Sequence, residues 1–344
     1  MAAAPADVPL SVLGEQGLLA RLHRFCPPEV IGDDGAKVPW PAGRPVVVTT
    51  DVLVEGVHFS ASPCSPLATL TMTPEDLGWR AVAVNYSDLA AMGATPVGIT
   101  VGLTLPPHSP VAWVEAVYAG MAECLGVYGG VILGGDVVRG TTISLAITAL
   151  GATDGEANWA RSAAQPGDAL VVTGWHGASR AGLALLLGED SAWAAGLSPE
   201  ARQRFQDMHQ RPRPRLDVLP GLAELVGQRA AVMDTSDGLA DALIQVCRAS
   251  GVAAAIDRPA VPYPPELDDL PPEQRWQWIL YGGEDFELLL SLPPAQAELL
   301  VTHLGRPAAR IGRVVAGSGV TLVDSTQATA PIALNLQQGY QHFA

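Results

Sequence analysis

The stretch Val232-Met233-Asp234-Thr235-Ser236-Asp237-Gly238-Leu239-Ala240-Asp241 decides how the chain is read. The apolar run from Ala230 to Met233 reads as a buried strand and stops at an acidic turn. From Asp237 onward Leu239, Ala242, Leu243, Val246 and Cys247 recur at helical steps of three and four. Two carboxylates and two hydroxyls therefore fall between a strand end and a helix start. There a buried sheet opens to a ligand crevice, and amides and hydroxyls can face an anion. A near copy, Asn85-Tyr86-Ser87-Asp88-Leu89-Ala90, occurs earlier.

Working outward, the 344 residues are 48% apolar and only 16% charged. That is enough for a large core, and at about 150 residues per domain it predicts two domains. The net charge of -15 argues against nucleic acid and anionic membrane surfaces, which select basic patches. Cys26, Cys64, Cys124 and Cys247 are scattered and form no C-x-x-C pair, the pattern of reduced thiols in the cytosol. Met1 to Leu10 lacks the basic start and apolar run of a signal peptide. No apolar stretch reaches the roughly 18 residues of a membrane span. The expectation is a cytoplasmic protein. A single lysine, Lys37, stands among 20 basic residues, and no G-x-x-x-x-G-K-[ST] loop occurs. Mechanisms built on a P-loop lysine are excluded.

In chain order, residues 11–25 predict a short amphipathic helix. Gly32-Asp33-Asp34-Gly35 reads equally as a turn or as part of an acidic site. Val46 to Asp51 predicts a strand ending in two hydroxyls and a carboxylate, continued toward His58 and Phe59. Thr73-Pro74-Glu75-Asp76 is a helix start, with Gly93 as its end. Along that helix Leu77, Ala81, Val84, Asp88 and Ala91 share one face. Asp88 thus sits in the core-facing stripe and needs a cation, a metal or a proton. Arg80 is on the wrong turn for a local pair, which favours a metal. Strands are predicted over 96–105, 131–136 and 141–150, with a helix over 110–125. Gly151-Ala152-Thr153-Asp154-Gly155 marks the boundary between domains 1–150 and 151–344.

The second half carries a strand over 169–173. The glycine-rich loop from Gly174 to Ser179 then runs into a helix, a weak phosphate signal without fingerprint spacing. Arg211-Pro212-Arg213-Pro214-Arg215 reads as a rigid connector or an anion clamp. Tyr281-Gly282-Gly283-Glu284-Asp285-Phe286-Glu287 again places acids and glycines at a strand edge. Collected, Asp33, Asp34, Asp51, Asp88, Asp136, Asp234, Asp237, Glu284 and Asp285 are edge carboxylates without matching basic residues. If they converge, each pair repels by about 4 kcal/mol at 4 Å and an effective dielectric near 20. Hard divalent cations relieve this, and oxygen-only ligands select magnesium or calcium. Magnesium on carboxylates and phosphates would supply the positive charge that lysine does not.

Taken in order, Gly32-Asp33-Asp34, Thr49-Thr50-Asp51 with Gly56-Val57-His58-Phe59, Asn85-x-Ser87-Asp88-Leu89-Ala90-Ala91-Met92-Gly93-Ala94 and Gly134-Gly135-Asp136 resemble the thiamine-monophosphate kinases. So do Arg161 with Pro166-Gly167-Asp168, Asp234-x-Ser236-Asp237-Gly238-Leu239 and Gly282-Gly283-Glu284-Asp285. The resemblance runs from about residue 11 to the C-terminus. It implies a mixed α/β, two-domain fold like that of aminoimidazole ribonucleotide synthetase. The N-terminal sheets of two subunits would pair in a homodimer, and ATP would lie in a cleft bordered by both domains. The implied reaction converts ATP and thiamine monophosphate to ADP and thiamine diphosphate. By position, Asp33, Thr49, Thr50, Asp51, Asp88, Asp136, Asp234 and Asp237 would hold magnesium ions, with Asp51 and Asp237 essential to catalysis. Tyr118, Gly135, Asp136, Arg161 and Ser236 would meet ATP, and His58, Glu284 and Tyr340 the thiamine monophosphate.

Two positions depart from the family pattern. Val137 replaces a usual hydroxyl residue, and Tyr86 a smaller aliphatic one. An acceptor phosphate has a second pKa of about 6 and is already ionised near neutrality. Direct in-line transfer then needs no general base. Two alternatives are another ATP-dependent synthetase of the superfamily and a metal-binding dimer without activity. Selenophosphate synthetase chemistry needs a reactive N-terminal cysteine with a nearby lysine, which Cys26 lacks.

Overall fold

The computed structural model describes residues 8–28, 30, 35–38, 40–61, 69–153, 158–219, 225–226, 229–327 and 330–340. The chain forms two compact units, residues 1–89 with 95–153, and residues 90–94 with 154–344.

In the first unit, α1 (Leu10–Leu22) is broken at Gly14, whose φ of 73° interrupts the helical run expected there. β1 (Val46–Val54) is followed by α2 (Pro74–Ala91), β2 (Thr95–Leu105), α3 (Val111–Tyr128), β3 (Val131–Arg139) and β4 (Ser144–Ala152). The start of α2 is a capping box. The Asp76 amide donates to Thr73 Oγ1 (3.1 Å), and the Thr73 amide and hydroxyl donate to Asp76 Oδ2 (3.2 and 2.7 Å). The four strands lie in the order β1-β4-β2-β3. The β1–β4 and β4–β2 pairs are antiparallel, and β2–β3 is parallel.

Helices α2 and α3 meet almost backbone to backbone. A Cβ on Gly78 would fall 1.9 Å from the Val117 carbonyl oxygen, and one on Gly120 would fall 1.9 Å from that of Glu75. Gly120→Ala is expected to push the helices apart and cost roughly 2 kcal/mol, read as a lower midpoint in denaturant unfolding. Tyr86, the departure on α2, is fully buried and donates its hydroxyl to the Gly129 carbonyl (3.0 Å), which ties α2 to the end of α3.

The second unit contains β5 (Asn158–Trp159), β6 (Ala169–Val172), α4 (Ala178–Leu187), α5 (Ser191–Gly196), α6 (Pro199–Gln210), β7 (Arg229–Asp234), α7 (Leu239–Ser250) and β8 (Ala253–Asp257). α8 (Pro272–Tyr281), β9 (Leu288–Leu292), α9 (Pro294–Leu304), β10 (Ala309–Val315), β11 (Gly319–Val323) and β12 (Ile332–Ala333) follow. One mixed sheet runs β12-β11-β8-β10-β6-β9-β7-β5. β6 and β9 are buried throughout, which is why their sequences are continuous apolar runs rather than alternating ones. Leu239, Leu243 and Val246 turn α7 into a core that also holds Phe205, Trp278 and Ile311. The helix starts two residues later than the apolar spacing suggests, because Gly238 takes a φ of 103°.

Candidate active site

In the first unit the acids gather where β1 meets α2. Strand alternation puts Thr49 and Asp51 on one face of β1, and three-residue spacing puts Asn85 and Asp88 on one face of α2. Thr49 Oγ1 donates to Asp88 Oδ2, and the Asp51 amide donates to Asn85 Oδ1 at 3.0 Å. Asn85 is fully buried and its Nδ2 donates back to the Ala81 carbonyl (3.0 Å), so its amide group is fixed at both ends. The resemblance motif includes Asn85, but spacing alone gave no signal for this bridging role.

Three of the expected residues stand apart from this cluster. Thr50 turns to the opposite face of the sheet, where its hydroxyl meets that of Thr148 at 2.8 Å. Its side chain is therefore separated from Asp51 and Asp88. Tyr118 is 5% exposed and its ring lies 5.8 Å from that of Phe25. Asp136 is exposed on β3, in register with Gly102, at the far edge of the sheet from β1. Three strand spacings, roughly 14 Å, separate the two edges, too far to share one ion. His58 sits in the turn after β1, and its Nδ1 accepts from the Val54 amide at 3.1 Å. The neutral ring then carries its proton on Nε2. Asp33 and Asp34 lie outside the described residues.

In the second unit the opening stretch behaves as a strand end, an acidic turn and a helix start. Asp234, 3% exposed, closes β7 and accepts from Ser236 Oγ at 2.9 Å. Asp237 is exposed in the turn, which the Gly238 amide closes on the Thr235 carbonyl (3.1 Å). Asp241 joins them from the first turn of α7. Burial lifts its carboxyl above the usual range, and the charge of Asp237 adds to this against the pull of Gln245 and Arg161. Its four-residue spacing from Asp237 is the signal that could have found it. Gln245 donates to Asp241 Oδ2 (2.6 Å) and accepts from Arg161 Nη1 (3.1 Å). Ser250 donates to the Arg161 carbonyl (2.8 Å), so α7 holds both the acids and Arg161.

The loop from Gly282 to Glu287 is held in place by its neighbours. Glu284 and Phe286 take φ of 60° and 52°, a left-handed backbone uncommon outside glycine. The Glu284 amide donates to the Ser236 carbonyl at 2.6 Å. Asp285 turns inward and accepts the Gly177 and Ser179 amides at 2.7 and 2.9 Å. This corrects two readings: Asp285 is no edge ligand, and the α4 amides that suggested a phosphate are taken by a carboxylate of the chain itself. Arg215 likewise turns inward, donating to Glu287 and to the Thr173 carbonyl, which makes the Arg-Pro stretch a connector. Tyr340 is 63% exposed.

Burial pushes the Asp285 carboxyl up to about 7 against the Ser179 and Gly177 amides, with Glu287 adding to the rise. Burial raises Glu287 as well, opposed by Arg215 and Thr173. A folded-state value above the unfolded one means the native chain keeps protons that the unfolded chain has released. For Asp285 that contribution is complete below about pH 4 and is lost as pH rises through about 7, and for Glu287 it is lost in the same direction. Stability is expected to fall between pH 5 and 7, by at most about 1.4 kcal/mol per pH unit for each group. Asp285→Asn should flatten that slope in denaturant titrations at the two pH values.

Among the described residues, no three His, Cys, Asp or Glu side chains come close enough to share one metal. Asp88 accepts from the Thr49 hydroxyl and Asp234 from that of Ser236, with Asp51 two residues from Thr49 and Asp237 next to Ser236 in the chain. That oxygen-only donor set fits magnesium, which takes one or two carboxylates and completes its shell with water and phosphate.

Residues 32–153 match the AIR synthase related protein N-terminal domain, and residues 165–325 its C-terminal domain. The fold is thus that of the AIR synthase related proteins. The chain is 46% identical over 342 residues, 98% of its length and 99% of the relative's, to the thiamine-monophosphate kinase of Synechococcus elongatus. A crystal structure of thiamine-monophosphate kinase from Stenotrophomonas maltophilia superposes with a TM-score of 0.74 at 32% identity, covering 89% of this chain and 94% of that one. AaThiL complexed with AMPPCP and TMP gives 0.68 at 31% identity, covering 96% and 99%. The chain belongs to the thiamine-monophosphate kinase family, and with it to the enzymes that act as thiamine-phosphate kinases. No described helix is long and apolar enough to cross a membrane.

Proposed function

We propose that this chain transfers the γ-phosphoryl group of ATP directly, in line, to the phosphate of thiamine monophosphate, giving thiamine diphosphate and ADP in the cytoplasm. The observation that carries the reading is the identity over nearly its whole length to a thiamine-monophosphate kinase. The Asp88 carboxylate, held by Thr49, and the Asp234 carboxylate, held by Ser236, support it. Asp33, Thr49, Thr50, Asp51, Asp88, Asp136, Asp234 and Asp237 would hold the magnesium ions, whose chemistry is to neutralise phosphate charge. Tyr118, Gly135, Asp136, Arg161 and Ser236 would bind the nucleotide, while His58, Glu284 and Tyr340 would bind the acceptor. Because the acceptor oxygen is already ionised, these residues need only place two anions in line and screen their repulsion.

We also infer a homodimer formed through the N-terminal sheet. Val46, Val48, Val52 and Val138 are each 48% to 56% exposed on that sheet, a patch that a monomer rarely presents to water.

The test is ADP release from magnesium ATP with thiamine monophosphate, with thiamine and purine-pathway intermediates as controls. Release that depends on thiamine monophosphate is expected. Tight metal binding without ADP release, or release driven by a purine intermediate, would overturn the reading.

A further inference from the structure

Glu284 is the only carboxylate of the proposed acceptor contacts, and its surroundings assign a task to a residue outside the motifs. We propose that His209 is a positioning residue for Glu284, holding that carboxylate where the cationic ring of the acceptor meets it. The inference rests on the reading of Glu284 as an acceptor contact.

His209 is the penultimate residue of α6 and is 2% exposed. It reaches the site because α4 and α6 pack closely: a Cβ on Gly182 would fall 2.0 Å from the Phe205 carbonyl oxygen and 2.9 Å from His209 Cβ. His209 Nδ1 lies 3.5 Å from Glu284 Oε2 and 3.1 Å from Ser179 Oγ. A carboxylate only accepts, so the proposal requires the tautomer with its proton on Nδ1, in which the Ser179 hydroxyl is a second acceptor of the same hydrogen.

The backbone of Glu284 is constrained as well. Its amide is bonded to Ser236, its φ is 60°, and the next residue grips the first turn of α4 through Gly177 and Ser179. With the main chain fixed, the remaining freedom is in the side-chain torsions. The His209 contact restrains these from the buried side. The Glu284 side chain is 33% exposed, so it is held at one edge and open at the other. A charge fixed before the ligand arrives does not lose that rotamer freedom on binding, which favours a cation over a neutral ring. The phosphate end of the acceptor and the nucleotide are served by other residues, so losing His209 should weaken acceptor binding selectively.

Three variants of the full-length enzyme test this: His209→Leu, His209→Asn, whose amide nitrogen can stand near the Nδ1 position, and His209→Gln, whose nitrogen stands near Nε2. For His209→Leu, KM for thiamine monophosphate should rise about tenfold or more, with kcat and KM for ATP within about threefold. His209→Asn should restore KM to within about threefold of the parent, and His209→Gln should not. Glu284→Gln is the control, and adding His209→Leu to it should raise KM no further. Calorimetric binding of thiamine monophosphate should follow the same order. Equal rises in both KM values, equal behaviour of the Asn and Gln variants, or additive losses with Glu284→Gln would overturn the proposal. An unchanged acceptor KM in Glu284→Gln alone would instead overturn the reading of Glu284, and the proposal with it.

Discussion

Asp51→Asn is expected to lower kcat by about 10³-fold while leaving the unfolding midpoint nearly unchanged, and Asp237→Asn to do the same. In both, the loss is of negative charge at a proposed magnesium position. Asparagine keeps the size and shape of both side chains. Asp51 is anchored to Asn85 through its main-chain amide, which the substitution keeps. Asp237 projects from a turn closed by backbone atoms, Gly238 to Thr235. ADP release and circular dichroism on the same samples check both halves of the expectation. Near-normal turnover in both variants would contradict the role given to these acids.

A stability loss of about 3 kcal/mol is expected for Asp168→Ala. The side chain is 4% exposed. It accepts from Arg229 at 2.8 and 2.9 Å, from the Gln165 amide at 2.9 Å and from Ser291 Oγ at 3.0 Å. Truncation takes the acceptor from Ser291 Oγ and the Gln165 amide and strips Arg229 of both carboxylate bonds, leaving it the Ala163 carbonyl, next to the buried strands β6 and β9. Burial alone would raise the Asp168 carboxyl. The bonds from Arg229, Gln165 and Ser291 outweigh it and hold the group below the usual carboxylate range. Its contribution is therefore complete above about pH 4 and is lost only as pH falls through that depressed value. Denaturant unfolding at pH 7 should show the loss, and the parent's acid limb should weaken in the variant. Unchanged stability at pH 7 would mean that Arg229 and Ser291 find other partners.

How far the sequence could be read depended on whether a signal was local. Strand β7, the turn and α7 follow from an apolar run, four polar residues and a helical period, all within twenty positions. The Thr73–Asp76 capping box is similarly local. Asn85 and Asp241 were in plain view within quoted motifs, yet their partners, the Asp51 amide and Gln245 with Arg161, depend on tertiary packing that spacing does not report. The same limit explains Asp285. A Gly-Gly-Glu-Asp run looks like one acidic edge, but the left-handed turns at Glu284 and Phe286 send neighbouring carboxylates in different directions. One points toward His209 and the other toward the α4 amides. The helix contact at Gly78 and Gly120 was illegible for another reason: a missing side chain shows its purpose only when the opposing backbone is in place.

Asp237 precedes α7 and Gln245, one of its middle residues, grips Arg161, so two unlike proposed ligand contacts depend on a single rigid cylinder. A tilt of that cylinder, set by how Leu243 and Val246 seat in the core, would displace the proposed metal and nucleotide contacts in concert. Drift in the hydrophobic bed beneath the helix would thus detune both affinities together, and neither could be adjusted alone from below.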